Sequence, residues 1–140
     1  MADVIYNSFK KKIMDGSIDL DTDTIKVALV TSDYSAVQDD HDFFDDVTHE
    51  VTGDGYTAGG AALANKAVTQ DNTDNEGVFD ADDVVWSAST ITARGAVIYK
   101  STGTAATSPL ICYIDFGSDK VSSAGNFTIQ FDAEGIINLN

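Results

Sequence analysis

The chain has 140 residues and a formal net charge of −15, from 23 acidic and 8 basic side chains. With 43% apolar and 22% charged residues it has the composition of a folded globular protein, which excludes disorder throughout. A surface this acidic repels phosphates and anionic membrane faces, so neither nucleic acid nor a membrane is an expected partner. The length suits one β domain over residues 1–140.

The first predicted element is a helix within residues 1–16, running over about Val4–Met14. Its apolar residues recur near helical spacing, Asp3 is placed to cap its start, and Gly16 is a natural stop. Lys10–Lys12 form the only basic cluster of the chain and are interpreted as a solvated helix face. No basic-then-apolar leader is expected at this terminus, and no apolar run approaches the roughly 20 residues that span a bilayer.

A buried strand is predicted at Ile25–Val30, where β-branched residues are frequent and Ile25, Val27 and Leu29 share one face. The preceding residues 18–23 alternate but carry three acids on one side, which indicates a solvated edge or a turn.

Residues 31–62 form a long loop rich in Gly and Asp, in which 53–60 contain four glycines. One short helical turn is expected around Asp39–Val47, with the phenylalanines facing inward. An excursion of about 30 residues in so small a domain is typical of a functional segment or an interface arm.

From Ala61 onward the pattern is a series of short strands separated by turn formers at Asp71–Asn75, Ser101–Ser108 and Gly117–Gly125. The fold class predicted is mainly β, an antiparallel β-sandwich or a jelly-roll-like barrel with one short N-terminal helix. The strands are expected near 62–69, 77–80, 83–87, 91–100, 109–116, 125–132 and 135–139.

The predicted strand 109–116 is apolar on both faces, because Ile111 and Tyr113 oppose the set that contains Leu110 and Cys112. An antiparallel sheet with one wet face alternates more cleanly than this. Something must therefore cover the second face. A neighbouring subunit is the favoured cover, and the N-terminal helix or the long loop is the alternative.

No arrangement typical of catalysis is found, and the chain is predicted to be no enzyme and to hold no metal or cofactor. His41, Asp45 and His49 would share a face if their segment were helical, but their spacing matches no strong metal motif. The acidic run Asp71–Gly77 lacks the Gly and Glu spacing of an EF-hand, so it is interpreted as a turn. Cys112, the only cysteine, is predicted to be a buried thiol without an internal disulfide.

Several runs resemble small structural virion proteins of tailed bacteriophages, and the similarity covers most of the chain. The runs are Thr24–Ser32, Asp42–Val47, Gly55–Leu63, Ser89–Arg94 and Phe127–Phe131. The resemblance implies a virion component assembled in the host cytoplasm. The resemblance does not by itself distinguish capsid from tail. The acidic composition, the two-sided strands and the lack of a catalytic arrangement favour a capsid decoration or cement protein that stabilises the head by binding between capsid subunits. The alternative is a tail, head-fibre, receptor-binding or glycan-binding component.

The partners implied are the major capsid protein or other virion proteins, together with further copies of the chain, a homotrimer being favoured. In this interpretation the long loop and the N-terminal helix contact the shell. The candidate partner-contact residues are Phe43, Phe44 and Tyr56 in the loop, and Ile111 and Tyr113 on the two-sided strand.

Overall fold

The computed structural model describes all residues, Met1–Asn140, as two antiparallel sheets with a single helix near the N-terminus. This confirms the mainly β prediction. The sheets do not close on themselves, so of the two architectures expected the sandwich describes the molecule and the barrel does not. The strands are β1 (Val4–Ile5), β2 (Ile25–Val30), β3 (Ala61–Ala62), β4 (Ala67–Asp71), β5 (Glu76–Asp80), β6 (Val84–Lys100), β7 (Leu110–Ile129) and β8 (Ile137–Leu139).

The larger sheet has the order β1-β7-β6-β2-β3, and the smaller sheet has the order β4-β5-β8. The helix α1 spans Asn7–Met14, and short 3-10 turns lie at Phe44–Asp46 and Ala105–Thr107. A cluster of 23 buried side chains takes members from both sheets, among them Leu29, Ile98, Phe79 and Ile137. The main core therefore lies between the two sheets.

A long hairpin of β6 and β7 dominates the larger sheet, with 17 and 20 residues in its strands. The break predicted at Ser101–Ser108 does connect the two strands, but the break predicted at Gly117–Gly125 is wrong, because β7 continues through it. β6 pairs with β7 along its whole length, as far as Val84 opposite Ile129. Register shifts between the two strands accommodate the additional residues of β7. The hydroxyl groups of Ser89 and Ser122 share a buried hydrogen bond of 2.8 Å between the strands.

The N-terminal helix is shorter than predicted because the residues before it form a strand. Val4 and Ile5 pair with Tyr113 and Cys112 of β7, and the carboxylate of Asp3 accepts a hydrogen bond from a β7 backbone amide at 2.7 Å instead of capping the helix. The predicted C-terminal stop is confirmed. Gly16 has a φ of 78°, and the following amide donates to the Lys12 carbonyl at 3.0 Å, which closes a Schellman-type cap.

The second apolar face of the larger sheet is covered by the chain itself, which corrects the interpretation that favoured a neighbouring subunit. A second buried cluster on that face contains Tyr6, the residue that precedes α1, and Tyr34, which lies in the long loop. Their hydroxyl groups share a hydrogen bond of 2.8 Å. Buried hydroxyls of this kind need a partner, so the pair fixes the N-terminal segment and the loop on the same face.

Candidate functional site

An open groove of about 400 Å³ lies between α1 and the smaller sheet. Its walls are almost entirely apolar and include Phe9, Ile13, Met14, Val68, Val78 and Leu139. Contiguous apolar surface that faces water makes this groove a candidate contact site.

Helix periodicity and strand register place these side chains around one depression. Phe9 and Ile13 are four residues apart, so both lie on the face of α1 that is turned to the smaller sheet. Across the sheet, Leu139 of β8 is paired with Gly77 of β5. A Cβ atom at Gly77 would meet nothing within 4 Å, so the missing side chain leaves part of the groove empty.

The rim of the groove carries the apolar side chains that are most exposed in this region. Met14 is 82% exposed, Leu139 68% and Val68 54%. These residues come from the helix and from both edge strands of the smaller sheet, so the exposure belongs to the groove as a whole. Covering these side chains would remove apolar area from water, which favours association.

Of the three lysines of α1, only Lys10 lines the groove. Lys11 and Lys12 follow on the same helix, and the Lys12 ammonium lies over the Phe43 ring. The two ion pairs of the molecule lie elsewhere, Arg94 with Asp115 and Lys100 with Asp23. In a chain with 23 acidic residues, these three lysines have no carboxylate within ion-pairing distance.

The loop aromatics predicted to contact a partner are brought to different places. Phe44 stacks on Tyr99 with ring centroids 4.1 Å apart, which holds the 3-10 turn against the sheet. Phe43 is half-buried, and the Lys12 ammonium lies 4.9 Å from its ring centroid. Tyr56 packs against the core, its ring 5.9 Å from that of Trp86. Of the three, Phe43 is the ring least engaged in holding the loop in place.

Ile111 and Tyr113 are placed inside the monomer. Ile111 is fully buried and Tyr113 is 8% exposed, and Tyr113 packs edge-on against Tyr34 of the long loop. This corrects the expectation that both face a partner. Ile111 lies in the main core, and Tyr113 lies in the second cluster, under the N-terminal segment and the long loop.

Glu50 joins the long loop to the larger sheet. One of its carboxylate oxygens accepts hydrogen bonds from the Tyr56 hydroxyl at 2.6 Å and from the Gly59 amide at 2.7 Å. The Tyr56 oxygen accepts in turn from the Leu29 amide at 2.9 Å. Burial, reinforced by the bond to Glu50, raises the pKa of Tyr56. Hydrogen bonds to a charged acceptor are stronger than neutral ones, so this carboxylate stabilises the loop.

We expect Glu50→Ala to lower the free energy of unfolding by about 2 kcal/mol, because it leaves two half-buried donors without their acceptor. Glu134→Ala removes the same charge from an exposed side chain and should change stability by less than about 0.5 kcal/mol. Urea unfolding followed by the fluorescence of Trp86, the only tryptophan, measures both. Equal effects of the two substitutions would contradict the role assigned to Glu50.

The acidic turn between β4 and β5 brings three carboxylates together, whereas the two histidines of the long loop stay apart. Asp71, Asp74 and Glu76 do approach within 4.8 Å of one another. However, Asp71 already accepts hydrogen bonds from two turn amides, as expected of the predicted turn. His41 and His49 do not share a helix face, because residues around them form no α-helix, and His41 Nδ1 lies 3.0 Å from the Tyr34 hydroxyl.

Cys112 is fully buried and unpaired, as predicted, and burial raises the pKa of its thiol to about 12. A thiol with so high a pKa is a poor nucleophile near neutral pH. It packs in the main core together with Ile114.

The groove was not identified from the sequence. The sequence pattern places Ile13 and Met14 on a helix and Leu139 on a strand, but nothing in the spacing indicates that the two elements line one groove. The available signal was the position of two large apolar residues, Met14 and Leu139, at the C-terminal ends of their elements.

No protein-family model, curated protein or solved structure matches this chain. The single helix has eight residues and is neither long nor apolar enough to cross a membrane.

Proposed function

We propose that the protein is a structural component of a tailed-bacteriophage virion, a decoration protein that binds the outside of the head between capsid subunits. The observation that carries this proposal is the solvent-facing apolar groove beside α1, with Met14, Leu139 and Val68 at its rim. Apolar surface of this kind favours a role in assembly, where other protein surfaces cover it. The sequence runs that resemble virion proteins support the phage context.

The net charge of −15 suits the same role. Many copies of a decoration protein accumulate on one particle, and strong like charge keeps the free protein soluble and monodisperse before attachment. Function then depends on a few apolar contacts strong enough to overcome that repulsion.

Attachment to the shell involves the long loop, where Phe43 offers an aromatic ring that is only half-buried. Its neighbour Phe44 is occupied by the stack on Tyr99, so the two phenylalanines have separate roles. An aromatic side chain near the centre of an interface commonly contributes more than about 1 kcal/mol to binding.

Binding to empty heads of the phage that encodes the protein tests the proposal. We expect the protein to cosediment with the heads and to raise their disruption temperature in calorimetry. Phe43→Ala should weaken attachment about tenfold while the unfolding temperature of the free protein stays nearly unchanged. Val37→Ala, a substitution of another exposed loop residue, is the matched control.

Heads that neither bind the protein nor gain thermal stability would overturn the decoration role. Binding to host cells or purified glycans in the same experiment would instead assign the protein to the tail or fibres.

A further inference from the structure

We infer that the groove beside α1 binds an aliphatic carboxylate, with the alkyl chain between α1 and the smaller sheet and the carboxylate against Lys10. The inference goes beyond the proposed assembly role and concerns the free protein, because the groove cannot hold a ligand and a capsid surface at the same time. Three observations carry it: a gap in the packing of the helix on the sheet, the apolar lining, and a single available cation.

The gap lies at Gly77 of β5. Side chains alternate along a strand, so a side chain at this position would lie on the same face of the sheet as the buried Phe79. Val68, which is paired with Phe79, and Leu139, which is paired with Gly77, share that face. A Cβ atom at Gly77 would meet nothing within 4 Å. The resulting groove of about 400 Å³ falls within the size range of small-molecule sites, roughly 300–1,000 Å³.

The lining of the groove suits an alkyl chain and offers little to a polar ligand. No carboxylate lines it, although 23 of the 140 residues are acidic. Asn138 is the only polar uncharged side chain of the lining, and its amide nitrogen already donates to the Glu76 carboxylate at 2.6 Å and to the Glu134 carbonyl at 2.8 Å. A polar ligand would therefore lose its hydrogen bonds to water without replacement, whereas an alkyl chain loses none.

Lys10 is the only charged residue that lines the groove. Its ammonium group donates to Asn7 Oδ1 at 3.2 Å and has no carboxylate within ion-pairing distance. An ammonium group has three donors, so two remain for a ligand. The methylene stem of a lysine can lie along an apolar wall while its charge stays in water, which places the cation at the mouth of the groove. A carboxylate bound there would leave its alkyl chain inside.

Isothermal titration calorimetry of the free protein with decanoate tests the inference at about pH 8, where the carboxylate and the lysine are both charged. We expect saturable binding at one site, with a dissociation constant of about 10–100 μM. Octanoate has two methylene groups fewer and should bind roughly tenfold more weakly, because affinity rises about fourfold with each methylene group that is buried.

Two pairs of variants locate the ligand. Lys10→Met removes the charge but keeps an unbranched side chain, so it should weaken decanoate binding about threefold to fivefold. Lys11→Met makes the same change at a residue that does not line the groove and should leave binding unchanged. Gly77→Val fills the gap and should weaken binding more than tenfold, whereas Gly125→Val adds the same side chain to a glycine of β7 outside the groove. Unfolding temperatures near that of the wild type show that the variants keep the fold.

The inference is overturned if decanoate does not bind at about 1 mM, or if it binds Gly77→Val as tightly as the wild type. Equal effects of Lys10→Met and Lys11→Met would overturn the position of the carboxylate. A wild type that binds no decanoate but self-associates, with the association lost in Gly77→Val, would assign the groove to a second copy of the chain instead. Because no heads are present, failure here leaves the decoration role to be decided by the head-binding experiment.

Discussion

Gly60→Ala should lower the free energy of unfolding by about 4 kcal/mol, an effect as large as that of removing a buried core side chain. Gly60 has a φ of 76°, and a Cβ atom added there would overlap the carbonyl oxygen of Val27. That oxygen belongs to the backbone of the buried strand β2, which cannot rotate away as a flexible side chain could. The edge strand β3 would have to leave the sheet.

Loss of β3 would release several neighbouring contacts together. Ala61 and Ala62 would lose their pairing with β2, and the buried side chain of Leu63 would be exposed. The Tyr99 hydroxyl, which donates to the Gly59 carbonyl at 2.6 Å, would lose its acceptor. The loop end is therefore expected to detach as a unit, with the unfolding temperature falling by more than about 10 °C.

Gly16→Ala is the matched control, because Gly16 has nearly the same φ, 78°, and a Cβ atom there would meet nothing within 4 Å. Gly16→Ala should lower the free energy of unfolding by about 1 kcal/mol, which is the backbone strain of an alanine in the left-handed region. Calorimetry on both variants separates strain from steric clash. If Gly60→Ala were no worse than Gly16→Ala, β3 would not be held as tightly against β2 as the structure indicates.

Strand propensity and turn-forming residues predicted the elements whose bounds are set by neighbouring residues in the sequence. The β-branched run Ile25–Val30 is a strand with the predicted bounds, and the turn formers at 71–75 and 101–108 do connect strands. Gly117–Gly125 is equally rich in turn formers but remains part of β7, since pairing with β6 and the buried bond between Ser89 and Ser122 override local preference.

Long-range packing was beyond what local signals could show. Tyr6 and Tyr34 are 28 residues apart, and nothing in their spacing indicates that their hydroxyls meet over the second face of the sheet. The same limit applies to the groove, which is lined by residues as distant in the sequence as Met14 and Leu139.

The strand at 109–116 is apolar on both faces as predicted, but the predicted division of its residues is wrong. A register shift opposite Ile98 and Tyr99 places Ile111 with Cys112 in the main core and leaves Leu110 with Tyr113 on the second face.

Alkaline pH should destabilise the protein steeply, because the folded state holds several protons more tightly than the unfolded chain. Burial raises the pKa of the Cys112 thiol from 9.0 to about 12 and that of Tyr99 from 10.0 to about 12. Burial also raises the pKa values of Tyr6, Tyr34 and Tyr56. Stability from these groups is complete below their ordinary pKa values and is lost as the pH rises toward the folded-state values.

The Cys112 thiol alone should account for about 4 kcal/mol, since every tenfold difference in proton affinity between the folded and unfolded states corresponds to roughly 1.4 kcal/mol. We expect the free energy of unfolding in urea to be nearly constant from about pH 7 to 8.5 and to fall by several kcal/mol by about pH 11 to 12. Phenolate absorbance should rise together with unfolding and not before it, because the tyrosines of the second face titrate only when the segment that covers them opens.

Cys112→Ala separates two effects of high pH on stability. One is the deprotonation of the buried thiol, and the other is the repulsion among acidic groups, which grows as lysines lose their protons. The variant should be less stable than the wild type at neutral pH, since it leaves a cavity beside Ile114 in the main core. Its stability should decline less between about pH 9 and 12, by up to about 4 kcal/mol, because no buried thiol remains to be deprotonated. Parallel declines in the two proteins would mean that the thiol is as accessible to hydroxide in the folded state as in the unfolded one. In that case the covering of β7 by the N-terminal strand, which encloses Cys112 through its pairing with Ile5, would be open in solution.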